Sequence, residues 1–247
     1  MVRGAALAWL AVGCGRLDFA TSSAVDAAGD GAVDGVRDAI AANIAYVGPF
    51  AERYPGAGST DSFQTAAAAA GDAIAIQVGC HDDAHQPSSV QVSAPGWTFD
   101  QLQPVQGDGM IASATYGAIA PDTTTVTVTV TWDVSCDIGK GELGDEFAMT
   151  APSGGATTFD ASIETSGSGD CIGSITTGHT GDAIWASCIS ENFVVAPGSG
   201  FTEAASDGGG DAAEYELDAG PAGTLISATY HNAAVPYVFA VVAIAPR

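Results

Sequence analysis

Positive charge is almost missing from this chain. Its 247 residues hold six Lys plus Arg against 29 Asp plus Glu, a formal net charge of −23, and Lys140 is the only lysine. That imbalance excludes nucleic acid as a partner, because like charge would repel the phosphates. It equally excludes electrostatic attachment to anionic lipid. It leaves room for divalent cations or basic partners, and dense acid keeps an extracellular surface soluble. Long apolar runs are also missing, and none reaches the ~20 residues of a membrane-spanning helix. Two catalytic signatures are absent too: the Gly-x-Ser-x-Gly elbow and the phosphate loop. His179 and His231 have no sequence neighbours that would complete a triad. Paired carboxylates for glycoside cleavage stay open, because their separation is set in three dimensions.

What is present begins with an address. "MVRGAALAWLAVGC" places one early charge at Arg3 ahead of an apolar stretch from Gly4 to Gly13. These are the charged and apolar regions of an export signal spanning residues 1–13. Val12–Gly13–Cys14 resembles a bacterial lipobox, in which Gly13 would precede the cut and Cys14 would become the lipidated first residue. The leucine of that motif sits one place early, at Leu10, with Ala11 in its stead. The alternative is ordinary secretion without a lipid. Cysteine arithmetic fits the lipid: five cysteines leave an even four once Cys14 is set aside, namely Cys80, Cys136, Cys171 and Cys188. An exported protein meets an oxidising compartment, so two disulfides are expected. Residues 14–45 read as a flexible acidic linker. Asp26, Asp30, Asp34 and Asp38 would repel one another on a helix, and Gly29, Gly31 and Gly35 weaken one further.

From residue 46 to 247 the pattern is β. In "TTTVTVTVTWDV" (123–134), Val126, Val128, Val130, Trp132 and Val134 share one face while Thr125, Thr127, Thr129 and Thr131 share the other. Further strands are expected at "DAIAIQVGC", "SVQVSA", "WTFDQL", "MIASATYGA", "DEFAMT", "CIGSITT", "DAIWASCI", "AEYEL", "TLISATY" and "YVFAVVAIA", separated by Gly, Pro, Asp and Ser. An alanine-rich helix is expected over 61–73. Many short strands with little helix predict an all-β, single two-sheet antiparallel β-sandwich of jelly-roll or immunoglobulin-like type. The alternative is two tandem immunoglobulin-like domains divided near 152–158.

The chain also echoes itself. "GDAI" recurs at 71–74 and 181–184, "APG" at 94–96 and 196–198, and "SATY" at 113–116 and 227–230, in the same order. The pattern divides the chain into similar halves, about 46–152 and 153–247. In the second half, "CIGSITTGHTGDAIWASC" reads as a hairpin turning near 178–181. That would set Cys171 opposite Cys188, at the ~4.5–5.5 Å Cβ separation of cross-strand neighbours. Cys80 and Cys136 would then form the second bridge, although sequence leaves the other connectivities open.

The order "AGDAIAIQVGC", "APGWTF", a Thr/Val strand, "GDEF", "GDAIWASC", "PGSGFT", "AEYEL" and "AVVAIAPR" resembles uncharacterised bacterial secreted and lipoprotein β-sandwich domains. The resemblance covers roughly 45–247. It implies one domain holding both halves and brings no catalytic residues.

Two clusters are candidate metal sites. "CHDDAH" (80–85) gathers His81, Asp83 and His85, whose imidazole and carboxylate groups suit zinc or another transition metal; the alternative is a solvated loop. "SDGGGDAAEYELD" offers Asp207, Asp211 and Glu214, oxygen ligands on a glycine-rich loop that suit calcium; the alternative is an exposed turn. No other cofactor is implied. These observations favour a non-catalytic cell-surface lipoprotein with a binding, adhesion or envelope-structural role. It would be held to the outer membrane or cell surface by its lipid, or else be extracellular, with a carbohydrate or protein ligand there. The rivals are a carbohydrate-binding module, which predicts exposed aromatics, and a secreted hydrolase, which predicts a cleft with converging acids.

Overall fold

Extended backbone accounts for every regular element in a computed structural model that describes residues 44–82, 85–149, 158–191, 194–207, 210–232 and 235–246. The export signal, Cys14 and nearly all of the expected linker lie outside the described residues, as does Asp83. The first half contains β1 (Ile44–Arg53), β2 (Gly56–Gln64), β3 (Ala73–His81), β4 (Val90–Ser93), β5 (Phe99–Gly107), β6 (Ile111–Ile119) and β7 (Thr127–Met149). The second contains β8 (Phe159–Ser168), β9 (Cys171–Thr176), β10 (Ala183–Ser190), β11 (Val194–Ala196), β12 (Thr202–Ser206), β13 (Ala212–Glu216), β14 (Leu225–Asn232) and β15 (Pro236–Ile244).

The Thr/Val alternation is the first part of β7. Val126, Val128, Val130 and Trp132 are buried, while Thr125, Thr127 and Thr131 are exposed. That part pairs with β2 and β4. Beyond Ile138 the same strand pairs with β1 and β3. One strand therefore serves two layers of a sandwich, whose filling runs from Val128, Val130 and Trp132 to Ile74, Ile76 and Val78 on β3.

The second half repeats this wiring. The first half's broad layer runs β1-β7-β3-β6-β5, with β2 and β4 flanking the start of β7. The second half has β8-β15-β10-β13-β12 as one sheet and β11-β14-β9 as the other. Each strand from β8 to β13 thus occupies the place of its counterpart seven positions earlier, and β14 with β15 replaces β7. The all-β antiparallel sandwich expected from sequence is present, and each half is a sandwich in its own right.

A third apolar layer joins the halves. Ala73, Ala75, Leu143 and Phe147 from the first broad sheet pack with Trp185, Ile189, Val238, Ala240 and Val242 from the second. Both broad sheets are consequently covered on both faces, and β3, β10 and most of β15 are buried at every position. Double coverage explains why "AIAIQV" and "VFAVVAI" are continuous apolar runs rather than alternating ones. Small residues permit the close approach. A Cβ on Gly79 would come within 2.6 Å of Ile189 Cγ2, and one on Gly117 within 2.5 Å of Phe159 Cε2.

Three expectations need correction. Residues 61–73 form no helix: β2 runs to Gln64, and Ala68 makes a bridge to Thr124. Pairing with β7 and burial of Phe63 outweigh the helix propensity of the alanines. The Cys171–Cys188 and Cys80–Cys136 pairs do have their sulfurs at bonding distance. However, β9 and β10 do not form a hairpin. They lie in different sheets, so Cys171–Cys188 crosses the filling of the second sandwich. The repeat is real in topology, yet only "GDAI" marks equivalent places. "SATY" falls on β6 in one half and β14 in the other. The structural counterpart of the Ala94–Trp97 turn is Gly198–Phe201, which starts on the last rather than the first residue of the repeated "APG". Both turns close with an amide from the aromatic residue, Trp97 N to Ala94 O and Phe201 N to Gly198 O, and both carry a glycine at positive φ, Gly96 and Gly200.

Candidate functional site

The seam between the halves holds two largely buried acids that bond across it. Asp145 on β7 accepts hydrogen bonds from Trp185 Nε1 on β10 at 2.7 Å and from Tyr46 Oη on β1 at 2.9 Å. Burial pushes its carboxyl up to about 6 against the pull of those two donors. Tyr46 also stacks on Tyr215 of β13, with ring centroids 4.1 Å apart. Glu164 on β8 reaches the other way. Its Oε1 accepts from Ser113 Oγ at 2.8 Å and Thr115 Oγ1 at 2.9 Å, both on β6, and from Gln77 Nε2 on β3 at 3.4 Å. Burial raises this group to about 7, against the lowering effect of the three hydrogen bonds.

The same seam brings together one residue from each candidate metal cluster. His81 Nε2 lies 3.7 Å from Asp211 Oδ2, both side chains being almost wholly buried. Burial alone would lower the imidazole pKa, but the adjacent Asp211 carboxylate raises it on balance. Asp211 Oδ1 meanwhile accepts from the Ser190 amide at 2.8 Å. The remaining members do not join them. His85 is exposed, with its amide on Asp82 Oδ1. Asp207 Oδ1 accepts the Gly210 and Asp211 amides of its own loop. Glu214 accepts the Gly198 amide at 2.7 Å inside the second sandwich, where burial raises it to about 7. The expected calcium set Asp207, Asp211 and Glu214 therefore does not converge, because each carboxylate is directed to a different backbone segment. "CHDDAH" separates likewise: Cys80 is in a disulfide, His81 points into the seam and His85 points out.

A different group does converge. Asp160, His179 and Asp182 are the one set of three acid or histidine side chains, among the described residues, whose ligand atoms all lie within 4.8 Å of one another. Asp160 is at the start of β8; His179 and Asp182 belong to the β9–β10 connection. The Gly178 amide donates to both Asp160 Oδ2 and Asp182 Oδ2, the latter at 3.2 Å, and His179 N donates to Asp182 Oδ2 at 3.2 Å. His179 Nδ1 lies 3.2 Å from Asp160 Oδ1. Asp182 is buried, and its Oδ1 takes no hydrogen bond from an N–H or O–H of the described residues. Burial pushes its carboxyl up to about 6, with the Asp160 charge adding to the rise. Only glycine fits at 178, since a Cβ there would sit 2.1 Å from Asp160 Oδ2. Sequence reading missed this group because Asp160 lies 19 residues from His179 and joins it only through sheet pairing.

Aromatics mark a third place. Trp132 and Trp185 are buried, whereas Trp97 and Phe99 are half-buried and stacked, with centroids 5.8 Å apart. Phe99 borders an open groove of about 440 Å³ lined also by Gln91, Ser93, Gln101 and Tyr116. No protein-family model, curated protein or solved structure matches the chain. Its class is therefore set by the geometry alone: two like-wired, disulfide-bearing sandwiches joined back to back.

Proposed function

We propose that the protein is a non-catalytic, exported surface module, lipid-anchored at Cys14, whose paired sandwiches form a rigid body for binding, adhesion or envelope structure. The observation that carries this reading is the direction of the buried acids. Asp145 and Glu164 each take hydrogen bonds from the opposite half, and Asp211 faces His81 across the same seam. Groups that a hydrolase would aim into a cleft are here used to join two sheets. Two disulfides fit an exported protein. Metabolic palmitate labelling tests the anchor. Wild type should incorporate label and sediment with membranes, whereas Cys14→Ser should lose both properties; a Cys14→Ser protein that still sediments with membranes would remove the anchor.

The Trp97–Phe99 stack favours a second reading, carbohydrate binding. An aromatic face beside the amides of Gln91 and Gln101 suits a sugar ring with its hydroxyls. Retention on an insoluble polysaccharide that is lost in Phe99→Ala would support it, and equal retention of both proteins would not.

A further inference from the structure

We infer that Asp160, His179 and Asp182 form a binding site for one divalent transition-metal ion of the zinc class, clamping β8 to the β9–β10 connection. Four features of the geometry point there. The two carboxylates are pinned side by side by a single amide, that of Gly178, which uses one oxygen of each. One ligand atom from each of the three side chains lies within 4.8 Å of the other two. Asp160 Oδ1 lies 3.2 Å from His179 Nδ1, and Asp182 Oδ1 is buried and takes no hydrogen bond from an N–H or O–H of the described residues. A buried carboxylate oxygen without a donor is costly to leave unmatched, and a cation would relieve that cost. Finally, His179 Nδ1 is itself buried and without a hydrogen bond from the described residues, although the rest of the ring is partly exposed.

Ligand chemistry selects the metal class. Calcium and magnesium take oxygen ligands almost exclusively, whereas an imidazole nitrogen with two carboxylates suits zinc and its neighbours. The first half contains a natural control. Asp72 stands where Asp182 stands, again beside a second carboxylate, Glu146, but no histidine joins them, and Glu146 Oε1 accepts the Ala69 amide at 2.8 Å. The first half should therefore not take the ion. A proton shared between Asp160 and Asp182 is the competing occupant.

The test is calorimetric titration of the intact protein with Zn²⁺, paired with the visible absorption of Co²⁺ as a probe of nitrogen coordination. Variants are His179→Ala, Asp160→Asn and, as a control, His231→Ala, whose exposed imidazole lies 3.3 Å from Asp170 Oδ2. The expected result is a dominant site of one ion per chain, weakened at least tenfold by His179→Ala and by Asp160→Asn, and unchanged by His231→Ala. Circular dichroism confirms folding, and His179→Ala is the decisive variant because it removes a partly exposed side chain. Absence of binding, binding insensitive to His179→Ala, or equal affinity for Ca²⁺ would each overturn the assignment. These readouts are independent of membrane anchoring and of sugar binding.

Discussion

The two halves answer one backbone problem identically and their side-chain problems differently. At "GDAI" the match is close. Gly71 and Gly181 both adopt positive φ, +93° and +81°. Their amides donate to Ala120 O and Gly220 O, and the following aspartate's carbonyl receives the Ala120 or Ala219 amide. Any strand entering the seam through this turn needs a residue tolerant of the left-handed region, so glycine recurs. The surroundings have diverged. The first half crosses between layers with one unbroken 23-residue strand, β7, while the second uses two strands, the later starting at Pro236. The bridges differ as well: Cys80 links β3 to β7, and Cys171–Cys188 links β9 to β10. Even equivalent seam positions differ in size, since Ala75 on β3 stands where β10 has Trp185. The comparison teaches that turn stereochemistry was held fixed while the packing was rebuilt.

Four changes would break or sharpen this contrast. The largest effect is expected from Trp185→Ala, which leaves a large void in the seam and removes a donor from Asp145. Equilibrium denaturation should show a loss of ~3–5 kcal/mol. A loss below ~1 kcal/mol would mean that the halves do not depend on this contact.

Next come the disulfides. The first closes a sequence separation of 56 residues and the second one of 17. The chain-entropy relation gives about 4 kcal/mol for Cys80→Ala/Cys136→Ala and about 3 for Cys171→Ala/Cys188→Ala. Denaturant midpoints that rank the two pairs in reverse would contradict a purely entropic origin.

The third contrast is with pH. Burial raises Glu142 to about 8, Glu164 and Glu214 to about 7, and Asp145 to about 6. A carboxyl whose folded pKa exceeds its unfolded value near ~4 holds its proton more tightly in the folded state. Its contribution is then complete below that unfolded value and is lost as pH rises through the folded one. Stability should accordingly be higher at pH 5 than at pH 8 by a few kcal/mol, since each tenfold gain in a carboxyl's proton affinity on folding is worth at most about 1.4 kcal/mol. Glu142→Gln should flatten the limb nearest pH 8, and Glu164→Gln the limb nearest pH 7. A melting temperature that rises from pH 5 to pH 8 would refute this ordering.

The smallest effect belongs to the shared turn. Gly71→Ala and Gly181→Ala each force a side chain into positive φ and should cost ~1 kcal/mol apiece. Similar melting shifts in the two variants would sharpen the equivalence; a silent one would break it.

Much of the scaffold was legible beforehand. Alternation over 126–134 fixed both the strand and its dry face, because a two-residue period has meaning only in extended backbone. The weakly patterned strands β1, β2, β8, β11 and β12 escaped notice; they are edge or flanking strands, and all but β12 pair with strands distant in the chain. Of the candidate ligands, His81 and Asp211 did meet, but across a seam that no local pattern announces. The Asp160–His179–Asp182 group was invisible for the same reason.

The amino-acid sequence by itself settled local matters: extended backbone, turn glycines, acidity and the supply of cysteines. These depend on interactions within a few residues. Tertiary structure decided the rest, namely that two sandwiches stack through their broad sheets, that the bridge at Cys171 spans layers rather than a hairpin, and which carboxylates meet which donors. Such choices rest on contacts between residues distant in the chain, and their energies exist only once the sheets have packed.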